Sequence, residues 1–248
     1  NVAYDAQDQY GNEFKLKLTT PIEVVGYPAR DLQSDDKFDL DLEYDFNYLT
    51  VGQWGPRKNL ENLIRWWAEE CWDQEVGLVI KTSHRKNNLF DREFTKNRIA
   101  SILNSLSLDS EERKCKIYLL HGDLSEPEMI ALYEHPKISC MVTTSHGEGF
   151  GLPLFEFAQI GKPIVAPEWS GYLDFLAFEN EKGKKCIGFL PVNYDLEPVQ
   201  QEAVWEHVIV PESKWAFAHE GSFKQRVRQV RKGEKWLKRA EELKVWIL

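Results

Sequence analysis

The sequence predicts an α/β fold, a Rossmann-like and mostly parallel sheet with helices on both faces. Three observations predict it. Short apolar runs of strand length alternate with stretches of helical periodicity over residues 47–166. Two glycine-bearing loops follow strands, where an open parallel sheet binds its ligand. The 248 residues are 42% hydrophobic and 29% charged, enough for a sizeable core. Strands joined through helices make right-handed βαβ units, and such units leave both sheet faces covered.

The elements follow in order. "PIEVVGYP" (21–28) reads as a short strand ending in a turn, and "DDKFDLDLEYDF" (35–46) as an acidic surface connection. The latter holds Asp39-Leu40-Asp41, a pattern able to bind a metal-nucleotide. Three-letter motifs recur by accident, so a solvated acidic loop is the expected reading. "NYLTVG" (47–52) is a strand with a glycine at its end. In "NLENLIRWWAEECW" (59–72), Leu60, Leu63, Ile64, Trp67, Ala68 and Cys71 fall on one helical face. "VGLVIKT" (76–82) is a buried strand, a polar helix runs from about Asp91 to Leu106, and "KIYLL" (116–120) is a strand. Ser125 to Glu128 form a capping box with an early proline, opening a helix to Glu134. "ISCMVTT" (138–144) is a strand, "LPLFEFAQI" (152–160) a helix and "PIVA" (163–166) a strand. The last 28 residues, from Gly221, form a basic helical tail broken at Gly233.

Net charge is −9 and the pI about 5.3, which argues against nucleic acid as a partner of the whole domain. Cys71, Cys115, Cys140 and Cys186 stand singly, without a C-x-x-C pair, and read as packed, reduced thiols. With no secretory pattern or spanning apolar run, a cytoplasmic location is expected. The chain opens on Asn1 rather than Met, so a piece of a longer protein is expected.

Chemistry concentrates in two loops. "SHGEGFGLP" (145–153) ends with Pro153, a residue suited to a first helical turn. The amides of Phe150, Gly151 and Leu152 then leave a helix N-terminus, an anion site that glycines let a phosphate approach. Glu156 lies one turn inside and leans back toward that ligand. A carboxylate there needs donors, which a ribose diol supplies; Glu148 is placed for sugar hydroxyls. The plainer alternative is a turn whose Glu156 complements the helix dipole. In "VGQWGPRKN" (51–59), Arg57 and Lys58 suit a diphosphate, the one as a fork and the other as a point charge. Taken alone they also read as solvated cations. Together the loops offer acids for hydroxyls, amides for phosphate and cations for diphosphate, and a sugar nucleotide carries all these groups.

At "YLTVGQWGPRKNLENLI", "GLVIKT", "HGDLSEPEMIALYE", "TTSHGEGFGLPLFEFAQIGKPIVAPEWSGYLDFL" and, more weakly, "KWAFAHEGSFKQRVRQV", the chain resembles a known family. This is the donor-binding domain of retaining GT-B glycosyltransferases of the glycosyl transferases group 1 (GT4). The resemblance spans residues 47–230, and its specific element is Glu148 and Glu156 in their glycine setting. It implies that Glu156 holds ribose hydroxyls and that Glu148 contacts the donor sugar. The backbone of Gly147, Gly149, Phe150, Gly151 and Leu152 meets sugar and phosphate, with Gly52 at the other loop. Lys58 matches the diphosphate lysine. Many members carry arginine where this chain has Gln53, and Arg57 supplies the charge in that variant. Glu148, Lys58 and Arg57 are thus the candidate catalytic set. The segment after "LLHGDLS" is similar to the base-contacting loop.

The resemblance further implies a reaction without cofactor or metal: retaining, front-face transfer of a hexose from a nucleoside diphosphate sugar to an acceptor hydroxyl. The acceptor is a glycan, a lipid-linked group or a protein. Residues 1–46 read as a lead-in too short for an acceptor domain, 47–230 as the donor domain and 231–248 as a tail. An acceptor domain is then expected in cis or in trans. Other readings are a related epimerase and a non-catalytic nucleotide-sugar module. His146 is a candidate donor-binding residue that also reads as only lining its loop. His121 reads as a packed strand-end residue, with approach to the nucleotide as the alternative, and Trp54, Trp66, Trp67 and Trp72 read as packing, with sugar stacking as the alternative. The tail reads as a solvated face, with peripheral contact at the cytosolic membrane face as the alternative.

Overall fold

In a sheet covered on both faces, neighbouring residues of one strand enter different cores. Tyr48 and Leu49 do so: both are fully buried, Tyr48 among Trp67, Leu78 and Val227, Leu49 among Val79, Met141 and Phe157. The computed structural model describes residues 3–17, 19–23, 25–180 and 182–248. They divide into two compact units, Asn1–Arg30 and Asp31–Leu248. In the first, β1 (Ala3–Gln7) pairs antiparallel with β2 (Glu13–Lys17).

The second unit opens its sheet with β3 (Asn47–Val51), followed by α1 (Leu60–Cys71), β4 (Gly77–Thr82), α2 (Leu89–Asn104) and β5 (Lys116–His121). Then come α3 (Glu126–Glu134), β6 (Ile138–Val142), α4 (Leu152–Ile160) and β7 (Ile164–Pro167). Short pieces follow: α5 (Leu173–Leu176), β8 (Ala177–Glu179), β9 (Lys185–Ile187) and β10 (Leu190–Val192). An antiparallel ribbon, β11 (Tyr194–Pro198) with β12 (Lys214–Ala218), precedes α6 (Glu220–Val230) and α7 (Lys235–Ile247).

The main sheet has six strands in the order β10-β7-β6-β3-β4-β5, every pair parallel. The Rossmann-like class is therefore observed, with α1, α2 and α6 on one face and α3, α4, α5 and α7 on the other. The apolar stripe of α1 drives its docking: all six residues picked from periodicity are buried. Trp67 meets Tyr48 edge-on at 5.9 Å, and the Tyr48 hydroxyl donates to the Val227 carbonyl at 2.7 Å. The capping box of Ser125 and Glu128 opens α3 as read from sequence.

Several expectations need correction. Residues 21–23 and 25–28 carry no strand, and Val24 lies outside the described residues. Pro21 and Pro28 bracket that run, and Ile22 (65%) and Val25 (85%) are exposed. The second helix starts at Leu89 rather than Asp91, because Asn88 is its cap: its side chain accepts from the Asp91 amide. The strand at 138–144 stops at Val142 and the strand at 163–166 is Ile164–Pro167. The tail breaks at Gly233 as expected, where φ is 147°. Its first half is not solvated cation: Lys224 pairs with Glu69 and Glu220, and Arg228 with Glu70. All four cysteines are buried and free.

Leu63 is fully buried between α1 and the sheet. Replacing it with alanine should lower unfolding free energy by about 2–5 kcal/mol. Denaturant titration of Leu63→Ala against the parent protein measures this.

Candidate active site

The strand order reverses between β3 and β6. From β3 the chain moves outward to β4, and from β6 it moves the other way to β7. The loops leaving these two carboxyl ends therefore border one crevice, where open α/β sheets bind ligands. They are residues 52–59 and 143–151, the two glycine-bearing loops of the sequence.

Hydrogen bonds stitch them together. The Asn59 side chain donates to the Thr144 carbonyl at 3.3 Å, and the Thr144 hydroxyl donates back to the Asn59 carbonyl at 3.0 Å. The Arg57 carbonyl accepts from the His146 amide at 2.8 Å and from the Ser145 hydroxyl at 3.2 Å. Asn59 adopts the left-handed region (φ 52°), turning the chain from a short 3₁₀ segment, Pro56–Lys58, into α1.

This frame brings together Arg57, Lys58 and Glu148. Lys58 Nζ lies 2.5 Å from Glu148 Oε1, and Arg57 Nη1 lies 2.7 Å from Oε2. The Arg57 guanidinium also donates to the Gly147 carbonyl at 2.5 Å. Only 12% of the Glu148 side chain is exposed. Burial alone would raise its pKa, but Lys58 and Arg57 outweigh that and hold it below its ordinary 4.5. Its contribution to stability is thus complete above that value and is lost as pH falls through the depressed one. Gly52 makes room for the pair: a Cβ there would lie 3.1 Å from the Lys58 side chain. The two cations expected to wait for a diphosphate are already engaged by the carboxylate expected to wait for a sugar.

The N-terminus of α4 completes the crevice. Gly151 takes φ 90° and Pro153 stands in the first turn. Gly151 and Pro153 line one small cavity, of about 20 Å³, together with Lys58, Glu148 and Thr143. Glu156 is half-buried and accepts from the Tyr133 hydroxyl at 3.3 Å. Phe150 packs on Phe155 and Phe175, with ring centroids 5.2 and 5.0 Å away. Gly149 and Leu152 reach the surface. Gln53 is exposed and donates to the His84 carbonyl, away from Glu148.

Ser170 and Gly171 were passed over in the sequence. The Ser170 hydroxyl accepts from the Glu148 amide and donates to the Glu148 carbonyl, both at 2.5 Å. Gly171 donates its amide to that same carbonyl at 3.1 Å, and a Cβ on Gly171 would sit 2.0 Å from the Gly149 carbonyl oxygen. The loop after β7 therefore holds Glu148 from behind. The Ser-Gly pair after a strand was the available signal, since it marks a turn.

The His146 side chain is packed against the β11–β12 ribbon. It is 1% exposed, stacked 5.5 Å from Trp215 and 4.2 Å from Phe217, and its Nδ1 is 2.7 Å from the Ala216 carbonyl. That contact makes Nδ1 the donor and leaves Nε2 buried without a partner. His121 pairs with Asp91 at 3.0 Å, at the end of β5. Trp54, Trp67 and Trp72 are buried, and Trp66 packs against Phe223. Asp39 binds the buried His135 at 3.1 Å and accepts from the Leu40 amide, while Asp41 is exposed.

Solved structures share this fold. HepE of Anabaena, in complex with UDP and glucose, matches 81% of this chain and 42% of its own at 14% identity, TM-score 0.52. The trehalose-6-phosphate synthase OtsA matches 82% of this chain and 40% of its own at 10% identity, TM-score 0.54. A trehalose-6-phosphate structure from E. coli, bound with UDP-2-fluoro glucose, gives 12% identity, the same coverage and TM-score 0.52. The fold is that of one half of a GT-B glycosyltransferase. The chain spans about two-fifths of the length of these structures. No protein-family model and no curated protein matches the sequence.

Burial pushes the His146 pKa below its ordinary 6.5, against the opposing pull of the Ala216 carbonyl and Glu197. A histidine whose pKa drops on folding contributes fully above 6.5, and that stability is lost as pH falls from there toward the lower value. The melting temperature should therefore drop between neutral pH and about pH 5.5, and drop less in His146→Phe. Thermal melts of both proteins across that range are the measurement.

Proposed function

We propose that this chain is the donor-binding part of a glycosyltransferase acting on a nucleoside diphosphate sugar. The observation that carries the reading is the meeting of Arg57, Lys58 and Glu148 at the N-terminus of α4, in the crevice of a GT-B half. In this reading Arg57 and Lys58 leave Glu148 for the diphosphate, which carries more charge than one carboxylate. Helix amides of α4 add to the same charge. Glu148, released, turns to sugar hydroxyls, and Glu156 takes the ribose. HepE in complex with UDP-glucose and the E. coli structure bound with UDP-2-fluoro glucose support a uridine nucleotide as the first donor to try.

The reaction breaks the bond between the anomeric carbon and the phosphate oxygen and forms one to the acceptor oxygen. The acceptor's proton passes to the departing phosphate, so no protein nucleophile is assigned and retention follows. Arg57 and Lys58 stabilise the charge that develops on the leaving diphosphate, the role a metal would otherwise fill. An acceptor domain, in cis or in trans, would hold the hydroxyl in register. That positioning lowers a barrier by roughly 7–11 kcal/mol, so donor hydrolysis by this chain should be slow.

The exchange makes opposite predictions for the two sides of the ion pair. Lys58→Ala should weaken UDP by about 1–3 kcal/mol, the scale of a charged hydrogen bond, and leave uridine nearly unchanged. Glu148→Gln should instead tighten UDP several-fold, because the competing charge is gone, while donor turnover by the chain with its acceptor domain falls. Calorimetry with UDP, UDP-glucose and uridine tests both. Weaker UDP binding in Glu148→Gln would refute the exchange, and a donor panel without any UDP-, GDP- or ADP-sugar binding would refute the function.

A further inference from the structure

We infer that the loop before α2 and the first turns of that helix form an interfacial anchor for an anionic lipid surface. Leu89 is 75% exposed, Phe90 90% and Phe94 50%. The core-facing residues of α2 are Thr95, Ile99 and Ile102, so the helix is apolar inward and, at its start, outward too. Leu89 and Phe90 contribute little to the fold at that exposure, while Phe94 also packs on the His84 ring at 5.0 Å. Asn88 supplies the cap, and its side chain accepts from the Asp91 amide at 2.9 Å.

The charge around these side chains is positive, against the sign of the whole protein. Arg85, Lys86, Arg92 and Lys96 are exposed there, and among the described residues the ion pair shown for their side chains is Lys96 with Glu93, at 3.7 Å. The acid in the middle, Asp91, faces inward. Its carboxylate accepts from the amides of His84 at 2.9 Å and Arg85 at 3.1 Å and pairs with His121, with 10% of its side chain exposed. Asp91 thus fixes the loop that presents Arg85 and Lys86 without cancelling their charge.

Aromatic and aliphatic side chains ringed by cations suit the boundary between acyl chains and anionic headgroups. No helix among the described residues is long and apolar enough to span a bilayer, so the contact is peripheral. It also has a direction. The Trp54 amide donates to the Ser83 carbonyl at 2.8 Å and Gln53 to the His84 carbonyl, which ties the basic loop to the loop carrying Arg57 and Lys58. A surface engaged by Phe90 therefore lies beside the crevice. The inference stands apart from the donor reading, but where that reading holds, the anchor brings the crevice to an acceptor carried on lipid.

Co-sedimentation with phosphatidylglycerol-rich and pure phosphatidylcholine vesicles tests it. The 248-residue chain should bind the former and not the latter, and release as salt rises. Arg85→Ala and Lys86→Ala should each lower partitioning roughly fivefold. Phe90→Ser with Phe94→Ser should lower it about tenfold or more. Arg85, Lys86 and Phe90 are exposed, so melting temperature should hold in their single variants, Phe90→Ser alone included, which separates lost partitioning from the lost His84 contact of Phe94. UDP affinity, measured in parallel, reports the donor site separately. Equal binding to both vesicles, or undiminished binding by the serine variant, would overturn the anchor. So would retention of a single-stranded oligonucleotide by this patch with no vesicle binding.

Discussion

The contact of Glu148 with Arg57 and Lys58 is the interaction around which the crevice is organised. Two like charges adjacent in sequence, Arg57 and Lys58, stand 41% and 18% exposed. Held together without an anion, they would repel each other and lose solvation. Glu148 relieves both at once by offering one oxygen to each. The cost is that all three charges are tied up with one another. On the proposed reading that cost gives selectivity, because only a ligand with more negative charge than one carboxylate, placed where both cations reach, gains by displacing Glu148.

What holds Glu148 in place is largely backbone. Its amide and carbonyl are gripped by Ser170 and Gly171, and the loops on either side are laced by Asn59, Thr144 and Ser145. The exchange proposed above then needs only the side chain to turn, with its Cα left in place. The sheet order sets this arrangement from farther away. The loops of β3 and β6 meet because the strands are neighbours whose onward connections diverge, leaving a gap no crossover fills. The loop after β7 arrives one strand over, close enough to brace Glu148 from behind.

How much of this was legible in the sequence depends on whether the determinant was local. The strands and helices of 47–166 were, because each buries a face whose period the sequence displays; α1 is the clearest instance, with every named residue buried. The two loops were legible as well, through glycine and charge. The pairing of Glu148 with Lys58 was not. It joins residues 90 apart, and a carboxylate reads equally well as a partner for hydroxyls or for ammonium. Ser170 at φ 96° was hidden for a similar reason: serine does not announce the left-handed region as glycine does. The ribbon of β11 and β12 was missed because its alternation is short and its apolar side, Trp215 and Phe217, packs on a single histidine rather than on the sheet.

The same ribbon explains why a buried, half-satisfied imidazole is tolerated at the edge of a ligand site. His146 sits in the loop that carries Glu148, two residues before it. Its carbonyl accepts from the Ala216 amide at 3.0 Å and its Nδ1 donates to the Ala216 carbonyl, so one residue of β12 clamps both ends of it. A smaller side chain would keep the backbone bond and lose the ring stack; an aliphatic one would fill space and lose the donor. Histidine in its neutral form supplies both, and the orphaned Nε2 is the price of that combination. Loop order here is therefore coupled to the protonation state of His146, and the coupling acts through Ala216 rather than through the charge of the crevice.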